Sequence, residues 1–184
     1  DAQFPPAWTN LGICEATLGN DEAAIEALSR ALLQNPSQAD AWLERSACLF
    51  RQGKITDALR DANEAIDWGG SARTFSHRGY LLKRQGRLEA ALADYNRALA
   101  LDPDLVDALA NRGAILGQMR RPDRALVDFT RALEIQPELS EVYRNRAVAH
   151  YQTGQIDLAR SDLEQYRARG GEPPPEFVRL LSGE

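Results

Sequence analysis

The segment ALADYNRALALDP, residues 91–103, returns as ALVDFTRALEIQP at residues 125–137, 34 positions later. A third version, AIEALSRALLQNP, stands at residues 24–36. A period of this length restricts the chain to architectures built from repeated supersecondary units. In register, it divides the sequence into five repeats, 5–38, 39–71, 72–105, 106–139 and 140–173, the second one residue short.

The residue types that recur describe two antiparallel helices per repeat. Position 20 is Ala24, Ala58, Ala91, Ala125 and Ala159, and position 8 is Gly12, Ser46, Gly79, Gly113 and Ala147. Position 27 is Ala31, Ala65, Ala98, Ala132 and then Tyr166. Small residues at these places let helix axes approach closely. Large residues fill the space beside them: Trp8, Trp42, Phe75, Leu109 and Tyr143 at position 4, and Leu28, Tyr95, Phe129 and Leu163 at position 24. Gly19, Gly53, Gly86 and Gly154 stand where the first helix must stop and turn. The fourth repeat has RRPD there, with Pro122 suited to the first turn of the next helix. Pro36, Pro103 and Pro137 close the second helix.

This pattern of aromatic, small, alanine and proline positions resembles the tetratricopeptide repeat and runs through nearly the whole chain. The resemblance implies an all-α fold: a right-handed α-solenoid of five helical hairpins with a concave groove lined by the first helix of each. A single hairpin cannot bury its own apolar face, so each copy covers its neighbour. After the fifth repeat, GGEPPPEFVRLLSGE breaks the chain and resumes with Phe177, Leu180 and Leu181 at helical spacing. A capping helix over about residues 174–182 is expected, and with it a single domain over 1–184. Asp1 and Ala2 fall where a preceding repeat would carry its closing Asp-Pro, from which an upstream extension is expected.

A pairing is also visible inside the sequence. Position 7 is Leu11, Arg45, Arg78, Arg112 and Arg146, while position 23 is Ala27, Asp61, Asp94, Asp128 and Asp162. The repeat that lacks the arginine also lacks the aspartate. Each Arg is therefore expected to reach across its hairpin in a bidentate contact, which lysine cannot make.

No catalytic constellation emerges. His77 and His150 lie far apart, and neither has a partner at metal-ligand spacing. His150, at a position that is usually a packed aromatic, is expected in the core or an interface. Cys14 and Cys48 both fall at position 10, one repeat apart. Adjacent first helices lie roughly 8–10 Å apart, beyond the roughly 7 Å that a disulfide spans, so both are expected to be buried, inert thiols. No phosphate-binding loop, nucleophile elbow or zinc pattern is present, and neither a metal nor a cofactor is expected.

The groove positions implied by the resemblance give the candidate site. Repeat 3 offers a basic band of Arg73, His77, Lys83 and Arg84 with one aromatic, Tyr80. Repeats 4 and 5 offer Asn111 and Asn145, with Arg144 and Tyr151 nearby. An Asn amide both donates to and accepts from a peptide bond, so repeated copies can hold a backbone without reading its side chains. This resembles the asparagine ladder of family members that bind extended peptides, interrupted here by Glu44 and His77. The small residues of repeat 4, Ala110, Ala114 and Gly117, leave room for a guest. The Lys and Asn pattern by which other members clamp a chaperone's terminal carboxylate is not matched: Thr9, Ile13, Leu43 and Ala47 stand in its place.

Charge narrows the partners. The net charge is −5, which argues against general nucleic-acid binding. It is uneven, however: residues 1–71 hold 11 acidic and 5 basic side chains, residues 72–105 hold 4 and 6. No stretch approaches the roughly 18 apolar residues of a membrane span. A soluble, cytoplasmic protein is expected, and the bias to arginine over lysine (only Lys54 and Lys83) points to a bacterial source. The leading expectation is a non-enzymatic adaptor that binds a protein or peptide segment, with acidic residues favoured opposite repeat 3. Two alternatives stay open, a scaffold that self-associates through its first hairpin and the interaction arm of a larger enzyme.

Overall fold

Turns come first, because they fix where each helix ends. Gly19, Gly53, Gly86 and Gly154 adopt φ of 82°, 77°, 75° and 76°, the left-handed conformation that terminates a helix without a Cβ penalty. In the fourth repeat Arg120 takes that place with φ of 56°, and Pro122 opens the next helix at its first turn. The short second repeat closes on Gly69, φ 108°, in place of a proline.

The computed structural model describes residues 5–182. The elements are α1 (Pro5–Thr17), α2 (Asp21–Gln34), α3 (Ala39–Arg51), α4 (Ile55–Asp67), α5 (Ala72–Arg84), α6 (Leu88–Leu101), α7 (Val106–Gln118), α8 (Pro122–Ile135), α9 (Ser140–Gln152), α10 (Ile156–Ala168) and α11 (Pro175–Ser182). They form two units. The first holds the hairpins α1–α2, α3–α4 and α5–α6; the second holds α7–α8, α9–α10 and α11. Within each unit, consecutive first helices adjoin, α1 to α3 to α5 and α7 to α9. The expectation drawn from Asp1 and Ala2 lies outside the described residues.

Four of the five hairpins share a small-against-large contact between positions 8 and 24. The alanines of position 20 are wholly buried, as are Tyr95 and, to within 1%, Phe129. A Cβ added to Gly113 would lie 2.7 Å from Phe129 Cε1, and one on Gly79 would lie 3.2 Å from the Tyr95 ring. Gly79 and Gly113 therefore admit the rings of position 24, and Gly12 admits Leu28 in the same way. In the other two repeats position 8 carries a side chain and its partner has no ring, Ser46 with Ala62 and Ala147 with Leu163.

All four Arg–Asp pairs form, and all are bidentate. Arg45 Nε and Nη2 donate to Asp61 at 2.7 and 3.0 Å, and Arg78 donates to Asp94 at 2.8 and 2.7 Å. Arg112 donates to Asp128 at 2.8 and 2.7 Å, and Arg146 to Asp162 at 2.8 and 2.6 Å. The four aspartates are at most 5% exposed. Desolvation offsets much of the attraction, so such pairs set register more than they add stability. In the first unit the same arginines also reach backwards: Arg45 Nη1 donates to Ser29 Oγ at 2.9 Å and Arg78 Nη1 to Asn63 Oδ1 at 2.8 Å. One side chain thus fixes both its own hairpin and the preceding one.

Helix α11 caps the last hairpin as expected, with one change. Leu181 is 3% exposed and its carbonyl accepts from Arg160 Nε at 2.9 Å, but Leu180 points outward at 55% exposure. Phe177 packs instead, its ring 5.8 Å from that of Tyr151 at an interplanar angle of 86°. His150 has a structural place: its side chain is 12% exposed and its Nδ1 lies 2.8 Å from Gln155 Oε1. The cysteines need a correction, since Cys48 is buried but Cys14 is exposed. Cys14 sits on α1, which has a neighbouring first helix on one side only within its unit. Burial pushes the Cys48 thiol up to about 11.

Candidate interaction face

In the first unit the candidate residues lie along α5, beside α3. Arg73 Nη2 meets Glu44 Oε1 at 3.4 Å, an exposed contact of small energetic weight. Tyr80 lays its ring edge-on to Phe50 of α3, centroids 5.3 Å apart, and the Arg84 guanidinium stands 5.9 Å from the same Phe50 ring. Arg51, one residue on from Phe50, is held by Asp21 at 2.6 Å. Lys83 is half-buried, and that burial, followed by the charge of Arg84, lowers its pKa.

His77 has an unexpected role for a groove position. Its Nε2 lies 2.8 Å from Ser46 Oγ, while the Ser46 hydroxyl donates its own proton to Ala58 O at 2.6 Å. The imidazole must therefore be the donor through Nε2. Burial, with the charges of Arg51 and Arg73, pushes its pKa down to about 4, so the ring is neutral near pH 7. The signal in the sequence was faint: position 8 of the second repeat is Ser46, a hydroxyl, where the first, third and fourth repeats have glycine.

In the second unit Asn111 donates through Nδ2 to Asp107 O at 2.8 Å, within its own helix. Arg144 pairs with Glu141 at 2.8 Å, and Tyr151 lies under the Phe177 ring. Asn145 does line a concavity. Between α7 and α9 there is a recess of about 210 Å³, bounded by Ala114, Gly117, Gln118, Phe129, Asn145, Val148, Ala149 and Gln152. Of the candidate residues, only Asn145 belongs to it. Ala114, Gly117, Gln118, Val148 and Gln152 were readable as groove positions, but Phe129 and Ala149 were not, because their burial marks them as core. Among the described residues no group of three or more His, Cys, Asp or Glu side chains is placed to hold a metal ion. None of the described helices is long and apolar enough to cross a membrane.

Stacked helical hairpins whose first helices leave a polar, recessed face define a repeat module of the interaction class. Family models described as TPR repeat and Tetratricopeptide repeat match residues 79–119, 9–72 and 106–139, together more than half of the chain. The chain belongs to the tetratricopeptide repeat family. Human Tetratricopeptide repeat protein 13 is 36% identical over 62 residues, a match that spans 34% of this chain and only 7% of that relative. Among solved structures, PilF of Pseudomonas aeruginosa is similar with a TM-score of 0.83 at 25% identity, over 97% of this chain and 83% of that one. MamA matches with a TM-score of 0.75 at 20% identity, over 90% and 91%. YrrB, described as a TPR protein with an unusual peptide-binding site, matches with a TM-score of 0.75 at 18% identity, over 96% and 91%. These likenesses show the fold, an α-solenoid of helical hairpins.

Proposed function

We propose that the chain is a non-enzymatic adaptor that binds an extended segment of a partner protein along the face of its first helices. The recess between α7 and α9 carries this reading, because it is a concavity that opens on the face of the first helices. Its rim of Gln118, Asn145 and Gln152 offers neutral amides that complement a peptide backbone. On α5, Lys83 and Arg84 give the first unit a positive band that suits an acidic residue of the ligand. YrrB, with its peptide-binding site, supports the reading by analogy of fold.

The test is affinity capture from native lysate with the wild-type chain and an Asn111→Ala/Asn145→Ala variant of equal melting temperature. Partners held only by the wild type support recognition on this face. Equal capture by both contradicts it.

A second reading, self-association through the first hairpin, has one observation in its favour. Leu11 and Leu18 of that hairpin are 44% and 74% exposed, and Leu11 replaces the arginine of the other repeats. A monomeric mass at high protein concentration contradicts this reading, and a dimer lost on Leu11→Arg substitution supports it.

A further inference from the structure

Junctions on the face of the first helices are filled differently, and the difference identifies what the recess holds. At the α3–α5 junction, Phe50 projects beside Tyr80 and the two rings meet at 5.3 Å. At the α9–α11 junction, Tyr151 meets Phe177 at 5.8 Å. Gly117 stands at the repeat position of Phe50 and Tyr151, and Val148 stands at the position of Tyr80. A Cβ added to Gly117 would meet nothing within 4 Å. The recess is therefore the volume that an aromatic side chain of this same chain occupies at two other junctions.

We propose that the α7–α9 recess is a receptor for one aromatic side chain of the bound segment, filling in trans the place that Phe50 fills in cis. This rests on the reading of the face as a peptide-binding surface and specifies its anchor residue. The size agrees: an apolar cavity of about 150 Å³ accepts benzene, and about 210 Å³ leaves room for the linking methylene. The space is below the roughly 300–1,000 Å³ of a cofactor or drug-sized site. The chemistry agrees as well. Phe129, 1% exposed, lines the recess, and Val148 is 39% exposed, a cost that an apolar guest would remove. Among the described residues no charged side chain lines the recess, so an Asp, Glu, Lys or Arg guest would lose its water without gaining a counter-charge. Asn145 and Gln152 at the rim are placed to hold the peptide group beside the anchor.

The experiment selects binders from a library of random, end-capped peptides displayed on phage, with the wild-type chain as bait. Retained peptides are resynthesised and titrated against wild type, Gly117→Phe and Val148→Asp. Gly117→Phe plugs the recess as Phe50 plugs its counterpart, and Val148→Asp sets a charge at a solvated edge, so one variant tests the site even if the other loses stability. The expected result is an aromatic residue common to the selected peptides, with affinity lowered about tenfold or more by either variant or by changing that residue to Ala. Selected peptides that lack an aromatic, or that bind both variants as tightly as wild type, overturn the proposal and leave the peptide-binding reading standing. No peptide retained by wild type overturns both.

Discussion

The α3–α5 and α7–α9 junctions are built from the same repeat positions, yet one is closed and the other open. Phe50 and Tyr80 fill the first, with Arg84 over the Phe50 ring. Gly117 and Val148 leave about 210 Å³ in the second. The helices on both sides are held by the same bidentate Arg–Asp contact and the same buried alanines. A helical repeat can thus keep its framework constant while single positions on the first helix decide whether a junction is structural or receptive. Function here lives in departures from the repeat.

The largest expected effect tests the shared framework. Replacing Asp61 or Asp128 by Ala leaves a half-buried guanidinium without its partner and should cost about 3–5 kcal/mol in either unit. In an Arg112→Leu background the loss from Asp128→Ala should shrink sharply. Equal losses in both backgrounds, read from denaturant midpoints, would sink the pairing account. Unequal losses at Asp61 and Asp128 would show instead that the framework is not common to the two junctions.

The next effect belongs to the closed side alone. His77 is held neutral with its pKa pushed to about 4, below the ordinary value of about 6.5. Between those values the unfolded chain binds a proton that the folded chain does not. Stability from the neutral ring is therefore complete above about pH 6.5 and is lost as pH falls towards 4, by a total of about 3 kcal/mol. A His77→Gln variant should show a flatter stability profile over this window, and an unchanged slope would remove His77 from the account.

Two glycines then sharpen the contrast inside one helix. Gly113→Ala drives a methyl group to 2.7 Å from the buried Phe129 ring and should cost about 1–3 kcal/mol. Gly117→Ala meets open space and should be neutral or stabilise by up to about 1 kcal/mol. Thermal unfolding of the pair separates a packing glycine from one whose absent side chain makes a site. The smallest effect is at the turn that breaks the pattern. Arg120→Gly removes a left-handed penalty of about 1–2 kcal/mol at the expense of glycine's greater unfolded freedom, for a net gain of about 0.5 kcal/mol. A lower melting temperature would mean that the Arg120 side chain supplies a compensating contact.

What the sequence disclosed was whatever repetition made redundant. The hairpins, their turns, the position 8 and 24 partnership and the Arg–Asp pairs are each written several times, and the one repeat without the pair confirms it by omission. Features written once were harder to see. His77 reads as a groove residue until its Nε2 is placed against Ser46 Oγ, because that partner stands in another repeat. Tyr151 reads as groove-facing until Phe177 packs on it, and Leu180 reads as a core position until the short α11 turns it outward. Cys14 and Cys48 share a position yet differ in exposure, because burial at that position depends on the neighbouring helices and not on the repeat itself. Phe129 serves two roles, core of its own hairpin and wall of the recess, and the second arises only in the folded chain.

The claim that one junction is closed and the other receptive is tested most directly by titrating N-acetylphenylalanine amide into isotopically labelled protein and following backbone amide shifts. The account predicts saturable changes at Gly117 and Val148, none at Phe50 or Tyr80, and no response at either place in the Gly117→Phe variant. Equal changes at both junctions, or changes at Gln118 and Val148 that persist in the Gly117→Phe variant, would contradict it.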